Sequence, residues 1–138
     1  MSTPPLSLAD QVCLAVIGEG RTHGWAIVKL LAPGGELGRI WSLSRALTYR
    51  SIDRLVEFGF VDRSDAGRRA ELQITSAGRR RSRHWLTRPV GHLRQLRTEF
   101  LLKLTLCERS SIDTAALIHA QRSQLTPAIT ALTDGDPD

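Results

Sequence analysis

The 138-residue chain is 41% apolar and 24% charged, which suits one domain, or one small domain with an appended oligomerisation element. Its net charge of +5 points to an anionic partner but does not choose among nucleic acid, membrane surface and acidic protein. With no signal-peptide or membrane-length apolar run, no CxxC or Cys/His spacing around Cys13 and Cys107, and no clustering of the histidines at 23, 84, 92 and 119 with acids, a cytoplasmic protein without metal or cofactor is expected.

Residues 1–6 are small and proline-bearing and are expected to be mobile. Ser7 can cap a first helix that carries Leu8, Val12, Leu14, Ala15, Val16 and Ile17, and Gly18-Glu19-Gly20 ends it. A second helix is expected from Thr22, as its cap, through Trp25 to Leu31, stopping at Ala32-Pro33-Gly34-Gly35. Ser44 and Gly59 bracket a third. On its wheel Tyr49, Ile52, Leu55 and Val56 share one side, and Arg50 and Arg54 the other. Such a helix can dock by its apolar side and offer arginines to a major groove. An ordinary amphipathic helix with a solvated charged face would read the same way.

The segment after Gly59 is more specific. Val61, Leu72 and Ile74 have strand-like spacing about the turn Asp65-Ala66-Gly67, which makes a hairpin with Arg68 and Arg69 at its tip. Thr75 then opens a helix bearing Arg79, Arg80, Arg81 and Arg83 that runs through Trp85 and Leu86 until Thr87-Arg88-Pro89 breaks it. Helix, helix, hairpin, basic helix is the order of a winged helix-turn-helix. Between Arg39 and Arg97 lie 14 of the 19 basic and 5 of the 14 acidic residues, a local charge of +9 against −4 elsewhere. All but Lys29 and Lys103 of the basic residues are arginine, whose planar fork suits phosphate or guanine.

Beyond the break, Leu93, Leu96, Phe100, Leu101, Leu104 and Cys107 repeat at helical spacing over about 91–108. A last helix over about 111–132 carries Ala115, Leu117, Ile118, Leu125, Ile129 and Leu132, and Pro127 should kink or divide it. Residues 133–138 make a short acidic tail, expected to be disordered. These helices hold more apolar surface than a domain of this size covers, so a homodimer through Leu93, Leu96, Phe100, Leu101, Leu104, Leu117, Ile118 and Leu125 is expected. Helices that fold back onto their own chain are the alternative. The expected fold is thus mainly α with a small β-hairpin: a winged helix-turn-helix domain at 7–88 and a helical dimerisation region at 89–132.

Several of these residues match the PadR family of transcriptional regulators, which the chain resembles over roughly Leu8 to Leu106. His23-Gly24-Trp25-Ala26-Ile27 looks like the family's Gly-Tyr-x-Ile motif, and Ile40-Trp41-Ser42-Leu43-Ser44 like the lead-in to its recognition helix. Tyr49, Arg54-Leu55, Glu57-x-Gly59-Phe60-Val61, Ile74-Thr75-x-Ala77-Gly78, Trp85-Leu86 and Phe100-Leu101-Leu102-Lys103-Leu104 come in the family's order. Two departures stand out. The family's Pro-Gly-Thr-Leu-Tyr opening is here Arg45-Ala46-Leu47-Thr48-Tyr49, so base preference does not carry over, and the segment after Lys103 is shorter than in the longer members. The resemblance implies a dimeric winged-helix protein that binds operator DNA, usually as a repressor, and in many members leaves it on binding a small aromatic or drug-like compound.

Candidate DNA contacts are Ser44, Arg45, Thr48, Tyr49, Arg50 and Arg54 on the third helix and Arg68 and Arg69 at the wing tip. A core role for the Tyr49 ring and a solvated wing tip are the bland alternatives. Trp25 and Trp85 are candidates for stacking on a flat effector, against simple packing roles. A winged-helix module that has lost DNA binding and docks on an acidic protein through the same arginines is the alternative function. An enzyme is not expected, because no nucleophilic triad, paired catalytic carboxylates or phosphate-cradling glycine loop is present.

Overall fold

The computed structural model describes residues 4–64, 70–91 and 93–134, apart from the side chains of 93–97 and 128–134. The chain divides into two compact units, Met1–Leu86 and Thr87–Asp138.

In the first unit, α1 (Leu8–Ile17) begins with a capping box: Ser7 Oγ accepts from Asp10 N–H at 3.1 Å, and the Asp10 carboxylate accepts from Ser7 N–H at 3.1 Å. Every residue from Asp10 to Ile17 is buried, so this helix is enclosed on nearly all sides. Burial pushes the Cys13 thiol up to about 12, with the Asp10 charge adding to the effect, and the neutral thiol packs as a small apolar group.

Thr22 does not cap the second helix. Thr22–His23 form a two-residue strand, β1, and His23 caps α2 (Gly24–Leu31) through Nδ1. The α2–α3 connection folds tightly under Leu37 and Leu43, both buried. Gly38 is needed there, since a Cβ would strike the Ala32 carbonyl.

Helix α3 spans Arg45–Glu57, with Ser44 Oγ accepting from Leu47 N–H at 3.2 Å. Its end is a Schellman turn: Gly59 sits at φ 79°, its N–H donates to Val56 O, and Phe60 N–H donates to Leu55 O. Strands β2 (Val61–Arg63) and β3 (Glu71–Ile74) pair antiparallel in the register Val61–Ile74 and Arg63–Leu72. Strand β1 pairs with the other edge of β3, so the wing belongs to a three-stranded sheet rather than a lone hairpin.

Thr75 joins three elements. Its hydroxyl donates to Gly59 O at 2.8 Å and accepts from Gly78 N–H at 3.0 Å, capping α4 (Ser76–Thr87), while its N–H donates to Phe60 O. A Cβ at Gly78 would collide with Phe60 O, which explains a glycine three residues after the threonine. The core of the unit is α1 against α3 and the sheet, with Leu14, Ile17, Ile27, Leu31, Ile52, Leu55 and Leu72 almost fully enclosed.

The second unit pairs α5 (Leu93–Arg109) with α6 (Thr114–Asp134). They are joined by another Schellman turn, here with Ser111 rather than glycine in the left-handed region at φ 58°. Asp113 caps α6, which therefore starts three residues later than Ser111. Pro127 does not divide α6: the helix continues to Asp134, with Pro127 at an exposed position. Thr133 and Asp134 are accordingly helical rather than tail, and residues 135–138 and 1–3 lie outside the described residues.

Two polar side chains enter this unit's interior. Lys103, 2% exposed, donates its ammonium to Arg88 O at 2.7 Å. Gln121 holds both backbone groups of Val90, accepting from its N–H at 2.7 Å and donating to its carbonyl at 3.2 Å. The segment Arg88–Val90 is thus pinned by one helix through a charge and by the other through an amide.

Candidate nucleic-acid interface

The first turns of α3 present Arg45, Ala46, Leu47 and Arg50 to solvent, while Thr48, Ser51, Ile52 and Leu55 turn inward. Burial of small polar Thr48 and Ser51 beside Ile52 and Leu55 lets α3 lie close against its neighbours. The DNA-binding candidates on this helix consequently divide by partner.

Arg54 is not a free groove-facing cation. Its Nη1 donates to the buried Asp10 carboxylate at 3.2 Å, tying α3 to α1. Thr48 is fully buried, and its hydroxyl donates to Ser44 O at 2.8 Å. Thr48, expected at the groove edge, is therefore inside, and Arg54, expected further along the same face, is part-exposed and tied to the acidic cap of α1. Ser44 stays exposed as the cap. Arg45 and Arg50 are exposed, and among the described residues neither is paired with a carboxylate. Arg63, by contrast, is held by Asp53 at 2.6 Å and Arg21 lies 3.6 Å from Glu71.

Arg45 has aromatic neighbours. Its guanidinium carbon lies 5.5 Å from the centre of the Trp25 ring and 5.9 Å from that of Tyr49, within cation–π range. Tyr49 is half-buried, and a Cβ on Gly24 would come within 2.5 Å of its ring, so glycine at that position lets the tyrosine close against α2. Trp25 remains 48% exposed. Trp25, a candidate for stacking on an effector, thus carries the first arginine of α3 over its ring. Trp85 is half-buried on α4.

On α4, Arg79 and Arg80 are exposed, whereas Arg81 turns back, donating to Pro4 O at 2.8 Å and stacking 5.6 Å from the Phe60 ring centre. Arg68 and Arg69 lie outside the described residues, so the basic wing tip has no geometry to report.

Of the candidates for self-association, Leu117 is 1% exposed and hence already buried within the single chain, because it shares a face of α6 with inward-pointing Gln121. Leu101 and Ile118 are exposed at 44% and 41%, and Phe100, Leu104 and Leu125 are half-buried. Leu93 and Leu96 are in α5, with side chains outside the described ones. Helix α5 buries a different apolar set from the expected repeat: Leu102 and Leu106, which that repeat omitted, are enclosed with Cys107, which it included, alongside Lys103. Continuous leucines on both sides of a helix blur which stripe faces inward.

No group of histidine, cysteine or acidic side chains among the described residues could hold a metal ion. No helix among them is long and apolar enough to cross a membrane.

No protein-family model matches this sequence, and neither does any curated protein. Solved structures do match. A crystal structure of Bacillus subtilis PadR in complex with operator DNA aligns over 95% of this chain and 76% of that one, with a TM-score of 0.57 and 20% identity. The structure of the same protein with p-coumaric acid aligns over 94% and 71%, with a TM-score of 0.52 and 22% identity. A further crystal structure of Bacillus subtilis PadR gives 95% and 71%, TM-score 0.52 and 22% identity. Among the described residues, six helices and a three-stranded antiparallel sheet are consistent with a winged helix-turn-helix fold, and the chain has the fold of Bacillus subtilis PadR.

Proposed function

We propose that this protein is a PadR-like transcriptional regulator that binds operator DNA through α3 as a homodimer, acting as a repressor in the cytoplasm. The observation that carries the reading is the pair Arg45 and Arg50, exposed and without carboxylate partners among the described residues, on the one helix that a winged helix-turn-helix inserts into a major groove. Other arginines of the same unit are engaged in internal pairs. Ser44, at the positive end of α3, and Tyr49 support contacts to the phosphate backbone. Arg68 and Arg69 extend them at the wing, and the row Arg79–Arg80 adds to the basic surface. Thr48 and Arg54 hold α3 in place rather than touch DNA.

The outward apolar stripe of Phe100, Leu101 and Leu104 on α5, with Ile118 and Leu125 on α6, supports self-association. A second copy places a second α3 on the duplex. The likeness to a protein crystallised with p-coumaric acid supports release by a small aromatic effector. The role is regulatory rather than catalytic.

A mobility-shift titration on the duplex flanking the protein's own gene tests this reading. The wild type shifts that duplex, and p-coumaric acid or a related phenolic acid reverses the shift. The variant Arg45→Ala/Arg50→Ala loses affinity by about a hundredfold, given 1–3 kcal/mol for each good arginine contact. An unchanged shift in that variant contradicts the assignment.

A further inference from the structure

We propose that Arg45 is a base-reading residue that selects guanine, and that Trp25 is the residue that positions it; this rests on the DNA-binding function proposed for the protein. The guanidinium of Arg45 lies 5.5 Å from the Trp25 ring centre and 5.9 Å from that of Tyr49, so two rings from two different helices restrain one exposed cation. Gly24 makes the arrangement possible, because any side chain there would strike the Tyr49 ring. No carboxylate among the described residues accepts from Arg45, so its N–H donors are left for another molecule.

A phosphate accepts hydrogen bonds from many directions and needs no restrained partner. The adjacent O6 and N7 acceptors of guanine need a fork held at one angle, and arginine is the side chain that supplies it. Arg45 is also the first residue of α3, and the N-terminal residues of a recognition helix are those that reach base edges. Stacking removes rotamer freedom before DNA arrives, so less is lost on binding. Arg50, five residues on and so displaced around the helix from Arg45, has no ring within cation–π distance among the described residues and suits a phosphate. Trp25 is 48% exposed, more than a side chain serving the core would be. Its large surface orients the neighbouring arginine instead.

Selection of duplexes from a random pool by the full chain, repeated with Arg45→Met and with Trp25→Leu, tests the assignment. Both substitutions fall at exposed positions, and circular dichroism confirms that the helices are kept. The wild type enriches sequences with guanine at a fixed position. Replacing that guanine by 7-deazaguanine, which lacks the N7 acceptor, weakens wild-type binding about tenfold and leaves Arg45→Met, which has no donor to offer N7, unaffected. Trp25→Leu loses a few-fold of the guanine preference while its low-salt affinity for unselected duplex stays the same, a split that a merely structural tryptophan would not produce. If either variant keeps the full guanine preference, or if the wild type selects no guanine, the proposal is overturned and DNA binding stands. If the wild type binds no duplex even at low salt, both fall.

Discussion

The two units of this chain leave opposite properties unsatisfied. Among the described residues, Met1–Leu86 leaves Trp25, Leu47 and Phe58 as its exposed large apolar side chains, and it turns Arg45 and Arg50 of α3 and Arg79 and Arg80 of α4 outward. Thr87–Asp138 does the reverse: it buries a lysine and a glutamine against backbone and turns Leu101 and Ile118 outward. The first unit is complete as a fold, and its surplus is charge, which a polyanion satisfies. The second leaves apolar side chains uncovered, which is what the proposed second copy would cover. The acidic balance outside the Arg39–Arg97 segment fits the same division, since it keeps positive charge where α3 and the wing are.

Breaking the core of each unit should expose the contrast most strongly. Leu55→Ala, at a fully buried position of α3, should cost about 2–5 kcal/mol of unfolding free energy, read by urea denaturation. Leu101→Lys with Ile118→Lys should leave the denaturation of dilute protein nearly unchanged yet abolish self-association in sedimentation. Loss of fold in that pair, or persistence of the dimer, would remove the assigned difference between inner and outer stripes.

Arginines of α3 separate next. Arg54→Met strands the buried Asp10 carboxylate and should cost about 2 kcal/mol, less than a fully buried pair because the guanidinium is 41% exposed. Arg50→Met should change stability by under about 0.5 kcal/mol, as surface substitutions do.

In the second unit, burial lowers the Lys103 ammonium below its ordinary 10.5, with Glu99 opposing the shift and Arg88 adding to it. The unfolded chain keeps that proton up to 10.5 while the folded chain gives it up earlier, so in the window below 10.5 the unfolded state binds more protons and stability rises with pH. The difference in urea midpoint between wild type and Lys103→Met should therefore shift in favour of the wild type as pH approaches 10.5. A flat or opposite trend contradicts the burial of a charged Lys103. The smallest effect is at the α5–α6 turn. Ser111→Gly relieves a left-handed serine and should add about 0.5–1 kcal/mol, visible as a raised Tm.

The features legible in the sequence were those that depend on near neighbours. Ser7, Ser44 and Thr75 cap helices and Gly59 ends one, because each acts on backbone groups within about three residues. The order of helices and wing came from these signals. Partners far along the chain could not be read in that way. Arg54 meets Asp10 across 44 residues, and the strand Thr22–His23 exists only because β3 lies beside it. The inward phase of Thr48, the burial of Leu117 and the stacking of Trp25 on Arg45 are likewise set by what packs against each helix. The candidate site was legible as a basic helix, but not as two free arginines among several already paired.

The central claim is that Arg45 and Arg50, and not Arg54, meet the duplex. The most direct test is the slope of log affinity against log salt concentration for a duplex, measured for wild type, Arg50→Met and Arg54→Met. The wild type should give a steep negative slope, Arg50→Met one shallower by about one unit, and Arg54→Met no change of slope. A slope near zero in the wild type, or a loss of slope in Arg54→Met alone, would contradict it.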